Sequence, residues 1–128
     1  MSTIDEAVYG YLANLGGPAG DRFYPVILPE GVTYPAATVT LISPVPDYVQ
    51  DGESGFQESR LQFEAWAEEL SEAKALAAWI RAQVSGRKFT ASGVTVYCGY
   101  LEGGPMDFDE TLRKWRIVQD YLLEHNNG

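Results

Sequence analysis

The chain offers almost no sulfur or imidazole chemistry. Its single cysteine, Cys98, has no partner for an internal disulfide, and its single histidine, His125, has no second soft ligand beside it, so a disulfide scaffold and a zinc site are both excluded. Positive charge is scarce as well: nine Lys and Arg stand against eighteen Asp and Glu, a formal net charge of -9. That surplus repels phosphate and excludes a protein that grips nucleic acid by neutralising its backbone. No apolar run approaches the roughly 20 residues of a bilayer span, so no membrane role is expected. The opening residues Met1-Ser2-Thr3-Ile4-Asp5-Glu6 are acidic where a secretory leader is basic, and the expectation is a protein made and kept inside a cell. Phosphate-loop, dinucleotide, zincin and nucleophile-elbow patterns are all missing. The expectation is therefore no enzyme, no catalytic residue, no cofactor and no metal.

What is present is one domain's worth of ordinary globular sequence, 128 residues of which 45% are hydrophobic. Ile4, Val8, Tyr11, Leu12 and Leu15 form a helical stripe, with Thr3 and Glu6 spaced as a capping box and Gly16-Gly17-Pro18 as a stop. A short extended piece follows at Arg22-Phe23-Tyr24, and the branched run Ala36 to Ser43 predicts a strand closed by Pro44-Val45-Pro46. From Ser59, Leu61, Phe63, Ala65 and Ala67 alternate with Arg60, Gln62 and Glu64, the period of a strand with one wet face. Ser71 reads as the cap of a second helix carried by Ala73, Leu76, Ala77, Ile80 and Val84 and closed by Gly86. Val94 to Leu101 and Trp115 to Leu123 alternate as two further strands, with Glu102 to Glu110 expected as an acidic loop between them. The expected fold class is α+β, two helices packed on one face of a mainly antiparallel β-sheet, with a protruding β-hairpin at Pro44 to Phe56. Residues 1–124 are expected to form the domain and 125–128 a flexible C-terminal tail.

Each residue type that bears chemistry also has a plain reading. Asp107, Asp109 and Glu110 are the best carboxylate group for hydrolysis or for a divalent cation, but acids beside Gly103-Gly104-Pro105 read more simply as a solvated turn. Asp47, Gly52 and Glu58 match positions one, six and twelve of a calcium loop, yet position three is Val49 and the flanks are strands, so calcium is set aside. Cys98 sits in an apolar strand and reads as core, and Trp79 as core or its edge. Trp66, Trp79 and Trp115 lack the basic groove that a base-stacking platform needs. Arg113, Lys114 and Arg116 form the basic cluster, and two readings stay open: pairing with the acidic loop of another copy, or local charge balance.

The order of these pieces resembles a known family. The first helix followed by Arg22-Phe23-Tyr24-Pro25, then Tyr34-Pro35-Ala36, the return strand Arg60 to Ala67, Ser71-Glu72-Ala73-Lys74-Ala75-Leu76 and the late Arg116-Ile117-Val118-Gln119-Asp120-Tyr121 is similar to the tail-completion proteins of long-tailed bacteriophages, also called tail terminator or tail-to-head joining proteins. The resemblance spans nearly the whole chain and rests on order, not on one motif. It implies a structural virion protein, a ring of six copies assembled in the bacterial cytoplasm that caps the tail tube at the tail–head junction and stops further addition of tube subunits. Its partners would be other copies of itself, the major tail tube protein and the head connector, with DNA passing through and not held. A neck or connector ring of the same particle is the alternative. A small acidic hydrolase and a soluble binding module stand further off.

Under that implication Val45, Tyr48, Val49 and Phe56, apolar residues in a stretch with four acids, are expected to anchor the hairpin on a neighbouring subunit or the tube, together with Arg113, Lys114 and Arg116. Packing of the hairpin on its own domain is the other reading. Glu102, Asp107, Asp109 and Glu110 are expected to face the channel or a basic partner ring.

Overall fold

A computed structural model describes residues 4–44, 56–91 and 94–126. Helix α1, Ile4–Ala13, buries Ile4, Ala7, Val8 and Leu12 as one stripe. The proposed Thr3 cap lies outside the described residues. Leu15, expected on the stripe, falls past the end of the helix and is exposed, because the chain has already turned at Gly16 with φ 70°. A Cβ on the next residue, Gly17, would overlap the indole of Trp79, which explains a glycine there.

Strand β1, Phe23–Pro25, runs parallel to β2, Ala36–Pro44; β3, Phe56–Ala67, returns antiparallel to β2. Helix α2, Leu70–Val84, follows. It starts before the expected Ser71: Glu69 is the N-cap, and its carbonyl accepts from Glu72 N and Ala73 N at 3.1 Å, leaving Ser71 inside the first turn and exposed. Strands β4, Arg87–Ala91, β5, Val94–Asp109, and β6, Lys114–Asn126, complete a six-stranded sheet in the order β1-β2-β3-β6-β5-β4. The architecture is α+β, with the sheet antiparallel except at β1. The protruding hairpin lies outside the described residues.

Alternation sorts the sheet into two faces. Ala37, Val39, Leu61, Phe63, Ala65, Ile117, Tyr121 and Leu123 face the helices and form the core with Leu76, Ile80 and Val84 of α2. Phe63 and Tyr121 meet edge to face at 5.4 Å, a pair worth about 1 kcal/mol beyond the area it buries. Both edge strands reach α1, and Tyr11 stacks on Phe89 of β4 at 4.1 Å, so the twisted sheet curls around its helices.

Three expectations need correction. Strand β4 was not foreseen: a five-residue stretch with Phe89 as its one large apolar side chain carries too little period, and pairing with β5 from Arg87↔Cys98 to Ala91↔Val94 makes it a strand. Glu102 to Asp109 is not a loop but the second half of β5, with Gly103-Gly104-Pro105 absorbed where the register shifts between Gly103 and Met106. The expected tail is also shorter than read. β6 continues through Asn126, and His125 is buried, with Nε2 2.8 Å from the Ser59 hydroxyl, because β3 extends far enough to pair with it. Residues 127–128 lie outside the description.

Candidate interaction surfaces

The sheet face turned away from the helices carries a continuous polar row. Ala36, Trp66, Arg116 and Asp107 are register partners across four strands, and one step along Thr38 lies opposite Glu64. The Thr38 hydroxyl donates to Glu64 Oε1 at 2.8 Å, and Arg116 Nη1 donates to Glu64 Oε2 at 2.8 Å. The same guanidinium grips Asp107 with two bonds, Nε to Oδ1 at 3.1 Å and Nη2 to Oδ2 at 2.9 Å, a fork geometry that arginine alone supplies. Its cationic form is favoured chiefly by the bond to Asp107, against the cost of burial, so its pKa lies above the usual arginine value. The guanidinium also stands 5.9 Å from the centre of the Trp66 ring. A second pair, Arg60 with Asp120, lies further along the same face.

At the β1 edge, the segment 26–34 folds over this row and encloses a groove of about 560 Å³ walled by Ile27, Leu28, Tyr34, Trp66 and Leu112. Val26 has φ 64°, a left-handed conformation that a β-branched residue rarely adopts, and Ile27 N donates to Pro25 O at 2.6 Å across it. Val26 is 63% exposed and Ile27 76%. Burial raises the pKa of the Tyr34 hydroxyl, and the carboxylates of Asp109 and Glu68 raise it further.

The expected site residues distribute unevenly. Val45, Tyr48 and Val49 lie outside the described residues; the backbone of Phe56 opens β3 opposite Asn126, and its side chain is not described. Glu102 pairs with Asp120 through the backbone. Asp107 is held by Arg116, and Asp109 Oδ1 accepts from Leu112 N at 2.8 Å to shape the 110–113 turn, in which Glu110 is exposed. Both of the aspartates proposed for chemistry therefore have structural partners. Of the basic cluster, Arg113 adopts φ 57° in the turn and lies 5.9 Å from the Phe108 ring centre, Lys114 Nζ is 5.0 Å from that of Tyr34, and Arg116 is the centre of the polar row. For Arg116 and Asp107, charge balance within one chain is what the geometry contains.

Sequence reading missed Val26, Ile27, Met106 and Phe108 as exposed apolar residues. Met106 and Phe108 alternate with Asp107 and Asp109, a period-2 signal hidden by the adjacent Gly-Gly-Pro. Cys98 is buried and its thiol is pushed up to about 12 by burial, which makes it a poor nucleophile. Among the described residues no group of three His, Cys, Asp or Glu side chains could hold a metal ion, and no helix is long and apolar enough to cross a membrane.

No protein-family model and no curated protein sequence matches the chain. Among solved structures, the fold is similar to a chain of the virion of a native gene transfer agent (GTA) particle, with a TM-score of 0.67 and 20% sequence identity over 97% of this chain and 95% of that one. At that identity the likeness establishes the fold.

Proposed function

We propose that the protein is a structural component of a phage-like particle, a ring subunit that completes the tail by capping its tube and joining it to the head connector. One observation carries this reading: a fold likeness that runs over nearly the full length of both chains, the other being part of a GTA virion. The sequence order that resembles tail-completion proteins supports the same conclusion independently. So does the chemistry of the site, since the carboxylates best placed for catalysis are tied to Arg116 and to a turn amide.

The acidic composition suits a channel that DNA must traverse without adhering. Asp107 is neutralised within its own chain, so Glu110 and the acids of segment 47–58 carry more of this role than the bare count suggests. A neck or connector ring of the same particle rests on the same likeness. Native mass spectrometry of the pure protein, alone and with tail tubes, tests the reading. A six-fold species in either condition supports it, whereas a stable monomer or dimer that ignores tubes overturns it. Electron microscopy of particles lacking the protein separates the two roles: overlong, headless tails indicate termination, and tails of normal length that fail to join heads indicate a connector.

A further inference from the structure

A second groove, of about 480 Å³, lies on the helix side of the sheet, between α2 and β5. Its walls are apolar: Ala77, Ala78 and Ala82 of α2, Met106 of β5 and Ile117 of β6. The short alanine side chains leave it open. No carboxylate among the described residues lines it, and Lys74, exposed one turn before Ala78, forms no ion pair among them. Met106 is half exposed at its edge, so the free chain leaves this apolar surface in water.

An apolar projection stands at the other end of the sheet, on the opposite face. Ile27 follows β1 by two residues, and Val26 N donates to Val39 O at 3.0 Å, which pins the base of the projection to β2. The left-handed Val26 precedes an isoleucine that lies almost wholly in water. The free chain therefore bears two costs at adjacent residues, a strained backbone and exposed aliphatic surface. A local rule broken twice without gain to the fold marks a surface shaped for a partner. Three residues on, Glu30 is exposed and forms no ion pair among the described residues.

The two surfaces complement each other in shape, polarity and charge. Ile27 and Glu30 are at most about 10 Å apart along the chain. Ala78 and Lys74 are one turn apart on α2, about 6 Å, and the lysine stem covers the rest. An isoleucine seated on Ala78 therefore brings the carboxylate to the ammonium. The two surfaces cannot meet within one chain: β1 and β5 are four strands apart, about 19 Å, and the Ile27 segment walls a groove with Glu64 and Trp66 on the face turned away from α2. A second copy supplies both the aliphatic side chain and the acid.

We infer that the groove between α2 and β5 receives Ile27 of a neighbouring copy, with Ile27 over Ala78 and Met106 and Glu30 beside Lys74. Donor and acceptor are different surfaces at opposite ends of the sheet, so the contact is head to tail, and a head-to-tail contact closes into a ring when the rotation permits. It rests on the ring reading above and names surfaces that ring would use.

Two added-cysteine variants test it. Ile27→Cys and Ala78→Cys are prepared separately in the full chain, mixed under conditions where native mass spectrometry shows rings, and oxidised; Cys98 is buried and does not compete. A covalent dimer from the mixture and from neither variant alone is expected. Rings without that dimer, or a dimer from one variant alone, overturn the inference and leave the ring reading intact; no ring in any condition, tubes included, overturns both. Substitution gives a second measurement. Ile27→Asp should lower the ring fraction at least tenfold while Ile27→Leu keeps it, and the exposure of Ile27 leaves the fold of the subunit unaffected. Glu30→Lys and Lys74→Glu should each lower the ring fraction severalfold, because the ring repeats the contact at every interface, and the two together should restore it. An undiminished ring fraction in Ile27→Asp overturns the assignment, and loss of tube binding in its place identifies the tube as the partner of this surface.

Discussion

Arg116 Nη1 lies 2.8 Å from Glu64 Oε2, although the two residues are offset by two positions across the β3–β6 ladder. The pair is half sheltered, and the same guanidinium holds Asp107, so one cation keeps two carboxylates from facing each other across three strands. Arg116→Ala leaves that repulsion uncompensated, and a stability loss of about 2 kcal/mol is expected, discounted from a fully buried pair because the Asp107 side chain is 45% exposed. Combining it with Glu64→Gln should recover roughly half. Additive losses in urea unfolding of the double-mutant cycle would show that the network carries no coupling.

Val26 is held in a left-handed conformation with its side chain largely in water. Val26→Gly should raise stability by about 1 kcal/mol, since the relief of strain exceeds the added entropy of the unfolded chain. A lower melting temperature for the variant would mean that the valine side chain contributes more than its conformation costs.

Burial raises the Cys98 thiol from 9.0 to about 12. The folded state therefore keeps its proton over a range where the unfolded chain releases it, and this group's contribution to stability is complete below pH 9 and lost as pH rises through about 12. The expected slope approaches about 1.4 kcal/mol per pH unit in that window. Cys98→Ala should flatten it, and the native thiol should resist iodoacetamide at pH 8 until denaturant is added; rapid labelling of the native protein would contradict the burial.

His125 and Ser59 form a buried pair at the far end of the β3–β6 ladder. Ending the chain after Glu124 removes that pair and leaves the Ser59 hydroxyl without it, and a loss of about 1–3 kcal/mol is expected. A melting temperature unchanged within error would restore the view of a frayed tail.

The alternating set Leu61 to Ala67 and the stripe Ala73 to Val84 were legible because a strand or helix face is written into spacing over a few residues. The resemblance in element order was legible for the same reason. Strand β4 and the second half of β5 were not, because Phe89 stands nearly alone and Gly103-Gly104-Pro105 signals a turn that long-range pairing overrides. The two grooves could not be seen at all: Trp66 and Leu112 are 46 positions apart, as the numbering shows, and Lys74 and Met106 are 32.

Composition and period by themselves determined an acidic chain of two helices and alternating strands with a core on one face. Tertiary structure alone decided which acid meets which base and that His125 belongs to the sheet. The reason is physical. Local sequence sets which way a side chain points, whereas register across distant strands sets what it meets, and a shift of one residue in that register would exchange every partner on the face.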